Sequence, residues 1–165
     1  SSSVAGLFMF PGALIGAVLA PISGKVLDQI GARKPITTGL ILAALGLALL
    51  FVFLPTKSLA LLLGAHIVLM LGLGISYSNL MTCSLSTLAT DQLSDGNALV
   101  NTLQQFIGAV ATAVVATTLS IFQGLNGFKV GTSHGTSIIL ALFFILIIVS
   151  LIVSFPNLKK IRANH

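Results

Sequence analysis

Residues 24–35 read GKVLDQIGARKP and hold Lys25, Asp28, Arg33 and Lys34, in a chain with only eight Lys and Arg and three Asp and Glu. On both sides of this patch charge disappears. Cutting the sequence at its charges leaves five uncharged runs, at residues 1–24, 35–56, 58–90, 96–128 and 130–158. A helix crosses a hydrocarbon core of about 30 Å with roughly 20 residues, so every run is long enough to span a membrane.

Composition says the same of the whole chain. Hydrophobic residues make up 56% and charged residues 7%, with a mean hydropathy of +1.10, against about 25% charged residues in a soluble domain. The runs are continuously apolar and do not alternate, and backbone within lipid must bond to itself, so the spans are helices and not barrel strands. The fold class read from the sequence is an all-α polytopic membrane protein with five spans, near residues 4–23, 36–54, 59–81, 98–121 and 136–155. The polar surplus of the third run, SYSNLMTCSLSTLAT (residues 76–90), is expected to extend that helix to the membrane interface.

Orientation follows from Lys and Arg, which are retained in cytoplasmic loops. With five spans, Lys25, Arg33, Lys34, Lys159, Lys160 and Arg162 share one side and only Lys57 and Lys129 the other. Residues 24–35 and the tail at 156–165 are therefore expected in the cytosol. The net charge of +5 then reflects topology and contact with the anionic head groups of the lipid bilayer, and gives no argument for nucleic acid. The first span would start outside, and the opening SSSVAG has neither an initiator Met nor a signal-peptide pattern. The expectation is a C-terminal piece whose N-terminal helices are missing. The single cysteine, Cys83, carries no redox motif and cannot form an internal disulfide.

In physical terms residues 24–35 are expected to form a tight loop. Gly24 and Gly31 give backbone freedom, and Pro35 suits the first turn of a helix, where its missing N–H costs nothing. Asp28 can turn back toward a helix N-terminus or meet Arg33 and Lys34, making a latch held by charge. These residues, Gly24, Asp28, Gly31, Arg33 and Lys34, resemble the cytoplasmic loop signature of the major facilitator superfamily, G-x-x-x-D-x-x-G-x-[RK]-[RK], with Gln29 and Ala32 where the family often has Arg. The stretch SDGNALVNTLQQFIGAVATAV, through Gly96, Ala98, Asn101, Gln104, Gln105 and Gly108, is similar to a segment of the fourteen-span drug:proton antiporters of the EmrB/QacA type. PGALIGAVLAPISGKVLD likewise resembles the span before the loop in those transporters. The resemblance covers essentially the whole chain, as the last five of fourteen helices. It implies a two-bundle fold that rocks around a central cavity, exporting small amphipathic or cationic drug-like substrates in exchange for protons.

Other positions are candidates on their own chemistry. Gly12, Gly16, Ala20 and Gly24 recur every four residues, with Pro21 beside them, on a face that allows close helix approach. In the resembling family this span lies between the halves, which makes Gly12, Gly16, Ala20 and Pro21 a candidate inter-bundle face, with Pro21 permitting a bend. His66 is the one readily titratable group well inside a span. It is expected to be a neutral imidazole hydrogen-bonded to a neighbouring helix, with a proton relay as the sharper alternative. His134 and His165 are placed in a loop and in the tail. Asn101, Thr102, Gln104 and Gln105 cluster at the inner end of the fourth span, where they solvate a helix end or, with His66, line a cavity. Asp95 or Ser94 is expected to cap that helix.

No cofactor or metal is implied, since no metal spacing or phosphate loop is present. Nor does any set of convergent acids and bases suggest an enzyme. A selective ion channel lacks its polar filter or ring of charge. Two readings remain, a segment of a proton-coupled multidrug exporter and a membrane-embedded remnant or structural partner without transport of its own.

Overall fold

The computed structural model describes residues 2–163. Side chains at several positions of the first helix, Gly16, Ala20, Pro21, Gly24 and Asp28 among them, and from residue 155 onward lie outside the described residues. Five α-helices follow one another: α1 (Ser2–Ile30), α2 (Arg33–Phe53), α3 (Leu59–Leu85), α4 (Leu93–Asn126) and α5 (Phe128–Ala163). No strand occurs among the described residues. Among the described residues, four helical segments are long and apolar enough to cross a membrane, at Arg33–Thr56, Leu59–Leu85, Thr90–Asn126 and Phe128–Ser154. The stretch 4–23 lies within the 29 residues of α1.

The charged patch is not the tight loop expected of it. α1 continues through Lys25 and Asp28 to Ile30, and α2 starts at Arg33, so only Gly31 and Ala32 separate them. Charge does not end a helix; a residue that can leave the right-handed region does. Gly31, with φ +71°, is the residue that uses that freedom, whereas Gly24 stays helical inside α1. The Ala32 carbonyl accepts from Ile36 N at 3.2 Å, and Pro35 falls in the first turn of α2, where no donor is lost.

The remaining junctions are short. After α2 a 3-10 turn, Leu54–Thr56, ends on Lys57 in the left-handed region. Thr56 Oγ1 donates to the Phe53 carbonyl at 2.7 Å and accepts from Ser58 N at 3.4 Å. Beyond α3, a 3-10 turn at Thr90–Gln92 leads directly into α4. Gln92, and not Ser94 or Asp95, occupies the cap position, with no side-chain cap bond. The turn displaces the helix start upstream of both residues. Asp95 still lies in the first turn, where a negative charge suits the helix dipole. Gly127, at φ +76°, separates α4 from α5. His134, expected in a loop, is inside α5.

The chain divides into two compact units, Ser1–Cys83 with Phe143–His165, and Ser84–Leu142. In the first, α2 and α3 run antiparallel with their backbones close. A Cβ on Gly46 would stand 2.5 Å from Leu69 Cα, and one on Gly72 would meet the Ala43 backbone. Small residues are what allow two helices to approach this far. Ile36 and Leu40 form the centre of the core, with Ala32 and Leu151 of α5 packed on them. In the second unit, Gly131 and Gly135 seat the start of α5 against Phe122 and Leu119 of α4. Gln123 Nε2 donates to Thr132 Oγ1 across this hairpin at 2.8 Å.

Apolar side chains cover the outside. None of the described residues of α4 is buried, and Phe106, Ile107 and Leu125 are exposed at 68%, 63% and 75%. Such a surface is unfavourable in water and at home in lipid or against further helices.

Candidate functional site

Along α3 the buried positions are Ala65, His66, Leu69, Gly72, Ser76 and Asn79. From 66 onward they step by three or four residues, the spacing of one helix face. Two seams meet on this helix.

The first seam joins α3 to α1. His66 is 7% exposed, and its ring centroid lies 5.0 Å from that of Phe8, tilted by 36°. Gly12 packs beside it: a Cβ there would be 3.1 Å from His66 Nε2 and 2.8 Å from Met70 Cγ. Further along, Leu19 fills the space over Gly74. The hydrogen bond expected to a neighbouring helix is absent at Nε2, which is buried and unpartnered. The described α1 groups beside it are the Gly12 backbone and the Phe8 ring, and neither supplies a side-chain donor. Within this chain, Gly12 thus packs on α3. Gly16, Ala20 and Pro21, the rest of that face, lie outside the described side chains.

The second seam joins α3 to α2. Ser76, 3% exposed, donates from Oγ to the Ile36 carbonyl at 3.2 Å. Asn79, 1% exposed, donates from Nδ2 to the Ile75 carbonyl of its own helix at 2.8 Å, while its Oδ1 has no partner. Exchanging the amide's N and O would put two acceptors face to face at the Ile75 carbonyl, so the assigned orientation stands. These two residues fall in the stretch expected to be an interfacial extension; instead they are among the most buried polar groups of the described residues. The signal that could have found them is the three-four spacing from His66 and Leu69 through Gly72.

The other candidates are placed as follows. Arg33 is half-buried, Lys25, Gly31 and Lys34 are exposed, and the side chain of Asp28 lies outside the described residues, as does His165. Asn101, Gln104 and Gln105 are all exposed on α4. Asn101 Nδ2 donates to the Asn97 carbonyl at 2.9 Å and to Asn97 Oδ1 at 3.1 Å, and Thr102 Oγ1 to the Ala98 carbonyl at 2.8 Å. The cavity-lining candidates are thereby divided between the two units, His66 in one and the amides in the other. Among the described residues no group of three or more His, Cys, Asp or Glu could hold a metal ion.

Comparison with known proteins gives these helices relatives. Residues 1–113 match the family model of the Major Facilitator Superfamily. The lincomycin resistance protein LmrB of Listeria innocua is 34% identical over 119 residues, which cover 72% of this chain and 25% of that protein. A multidrug resistance protein B homolog of Mycobacterium tuberculosis is 32% identical over 119 residues, 70% of this chain and 22% of the relative. The uncharacterized MFS-type transporter YcnB of Bacillus subtilis is 25% identical over 158 residues, 94% of this chain and 33% of the relative. This chain therefore spans only about a fifth to a third of the length of these relatives. No solved structure matches. The match covers more than half the chain, on helices whose surfaces suit lipid, and this multi-pass membrane chain belongs to the Major Facilitator Superfamily.

Proposed function

We propose that this chain is the C-terminal helical part of a proton-coupled multidrug efflux antiporter of the fourteen-span kind, which works by alternating access and crosses the membrane five times with its C-terminus in the cytosol. The observation that carries this reading is the similarity, over 72% of the chain, to a protein named for lincomycin resistance, joined by another named for multidrug resistance. Transport by the whole protein requires further helices for this bundle to rock against. The exposed apolar surface of α4 is suited to lipid and to such helices. The substrate class is small amphipathic or cationic molecules, and protons are the coupling ion. In this reading Gly24, Asp28, Gly31, Arg33 and Lys34 form the gate, where the ends of α1 and α2 meet at a two-residue break.

The test uses the full transporter that contains this segment. Asp28→Asn keeps the side chain's shape and removes its charge, and is expected to cut drug efflux sharply while leaving membrane abundance nearly unchanged. The 165-residue chain, reconstituted alone in liposomes under a pH gradient, is expected not to move a fluorescent cationic dye. Normal efflux by Asp28→Asn would remove the gate from the mechanism. A full transporter that moves no drug at all would favour the inert remnant.

A further inference from the structure

We propose that His66 is a proton-binding site, and that a proton on Nε2 shifts α1 along α3. The proposal stands whether or not the whole protein couples export to protons. It begins with the unpartnered Nε2 of a side chain that is 7% exposed. A neutral imidazole can leave one lone pair unused at modest cost. A protonated one carries a charge and a second N–H, and burying both against carbon without an acceptor is far more costly.

The facing helix holds an acceptor in reserve. Pro11 lies in α1 one residue before Gly12, and proline has no N–H. The carbonyl four residues earlier, that of Leu7, therefore lacks its helical donor. Leu7 directly precedes Phe8, whose ring packs on His66. At Gly12 no side chain stands between the imidazole and the α1 backbone. A small slide of α1 would offer the Leu7 carbonyl to Nε2–H. Three side-chain contacts at this seam are apolar: the Phe8 ring on His66, Met70 against Gly12, and the Leu19 side chain over Gly74. Apolar contacts are not directional, so they resist sliding less than hydrogen bonds do.

No second ionisable group shares the seam. α1 carries no charge before Lys25, which lies 13 residues beyond Gly12, about 20 Å along the helix. α2 has none between Lys34 and Lys57, and Lys57 sits exposed in the turn before α3. Within α3 the nearest is Tyr77, exposed and eleven residues on, about 16 Å away along the axis. The second half of α5 has no charge up to residue 158. A single proton would then decide between the two arrangements.

The experiment uses the full chain in lipid nanodiscs, with histidine imidazoles isotopically labelled and, in a Cys83→Ser background, spin labels at Leu14→Cys on α1 and Leu80→Cys on α3, both exposed sites. Imidazole NMR signals and the inter-spin distance are followed from about pH 8 to about pH 4.5, which brackets the ordinary imidazole range. The expected result is a distance change of about 1–2 Å, the scale of helix shifts in switching proteins, with the midpoint of the His66 signal. His66→Phe, which keeps a ring beside Phe8, and His66→Gln should each hold one distance at all pH values. Pro11→Ala, which gives Leu7 its helical donor, should diminish the shift. A shift that persists in both His66 variants would overturn the proposal. So would a His66 signal that stays unchanged across this range, or one that titrates with no change in distance.

Discussion

The close approach of α2 and α3 makes a signed prediction about three glycines on these helices. Exchanging Gly for Ala within a helix normally stabilises it by about 0.5–1 kcal/mol, because Ala has less backbone freedom to lose. At Gly64 nothing lies within 4 Å of the new Cβ, and the position is exposed, so Gly64→Ala should show that gain undiminished. At Gly46 the Cβ would stand 2.5 Å from both Leu69 Cα and Leu69 N. Carbon atoms rest at about 3.5–4.0 Å, so the helices must part by roughly 1 Å. Backbone cannot turn aside as a side-chain tip can. Gly72 is held in the same way against the Ala43 backbone. Overpacking of this kind costs about 1–3 kcal/mol, which exceeds the propensity gain, so Gly46→Ala and Gly72→Ala should be net destabilising. The assay heats the purified chain in mild detergent and records the temperature at which half of its monodisperse size-exclusion peak is lost. The expected order is Gly64→Ala above wild type, with Gly46→Ala and Gly72→Ala below. A Gly46→Ala protein as stable as Gly64→Ala would refute the close seam.

Three further outcomes are expected. Ser76→Ala, which removes the buried bond to the Ile36 carbonyl, should lower stability in the same assay by about 0.6 kcal/mol, the average for interhelical hydrogen bonds in a membrane protein, and by no more than about 1.7; no change would mean that the bond contributes nothing. Asn79→Leu removes a buried acceptor that has no donor and should be neutral or mildly stabilising, so a large loss of stability would show that Oδ1 has a partner. For topology, Lys34→Cys in a Cys83→Ser background should resist a membrane-impermeant maleimide in intact cells and react after permeabilisation, while Lys129→Cys should react directly; both positions are exposed, and the reverse pattern would invert the orientation.

What could be read from the sequence was whatever depends on the chain's interaction with its solvent. Uncharged runs of helix-spanning length and a charged content of 7% leave helices in lipid as the only economical arrangement, because every buried backbone group must bond within its own segment. The family was also legible, since its motifs depend on local backbone and charge: Gly31, for example, does occupy the left-handed position that ends α1.

Tertiary structure decided which faces meet. In a soluble helix the apolar stripe marks the core, but in these helices nearly every face is apolar, and hydropathy does not distinguish lipid from neighbour. Packing alone turned Gly12 toward His66 and Met70, buried Ser76 and Asn79 while leaving the amides of α4 exposed, and left the His66 Nε2 without the bond expected of it. The two-residue link between α1 and α2 is a local feature instead: α1 runs on through Lys25 and Asp28, and the backbone turns left-handed only at Gly31. Small and polar residues at three-four spacing mark a seam in the sequence, and only the approach of a second helix determines what each of them touches.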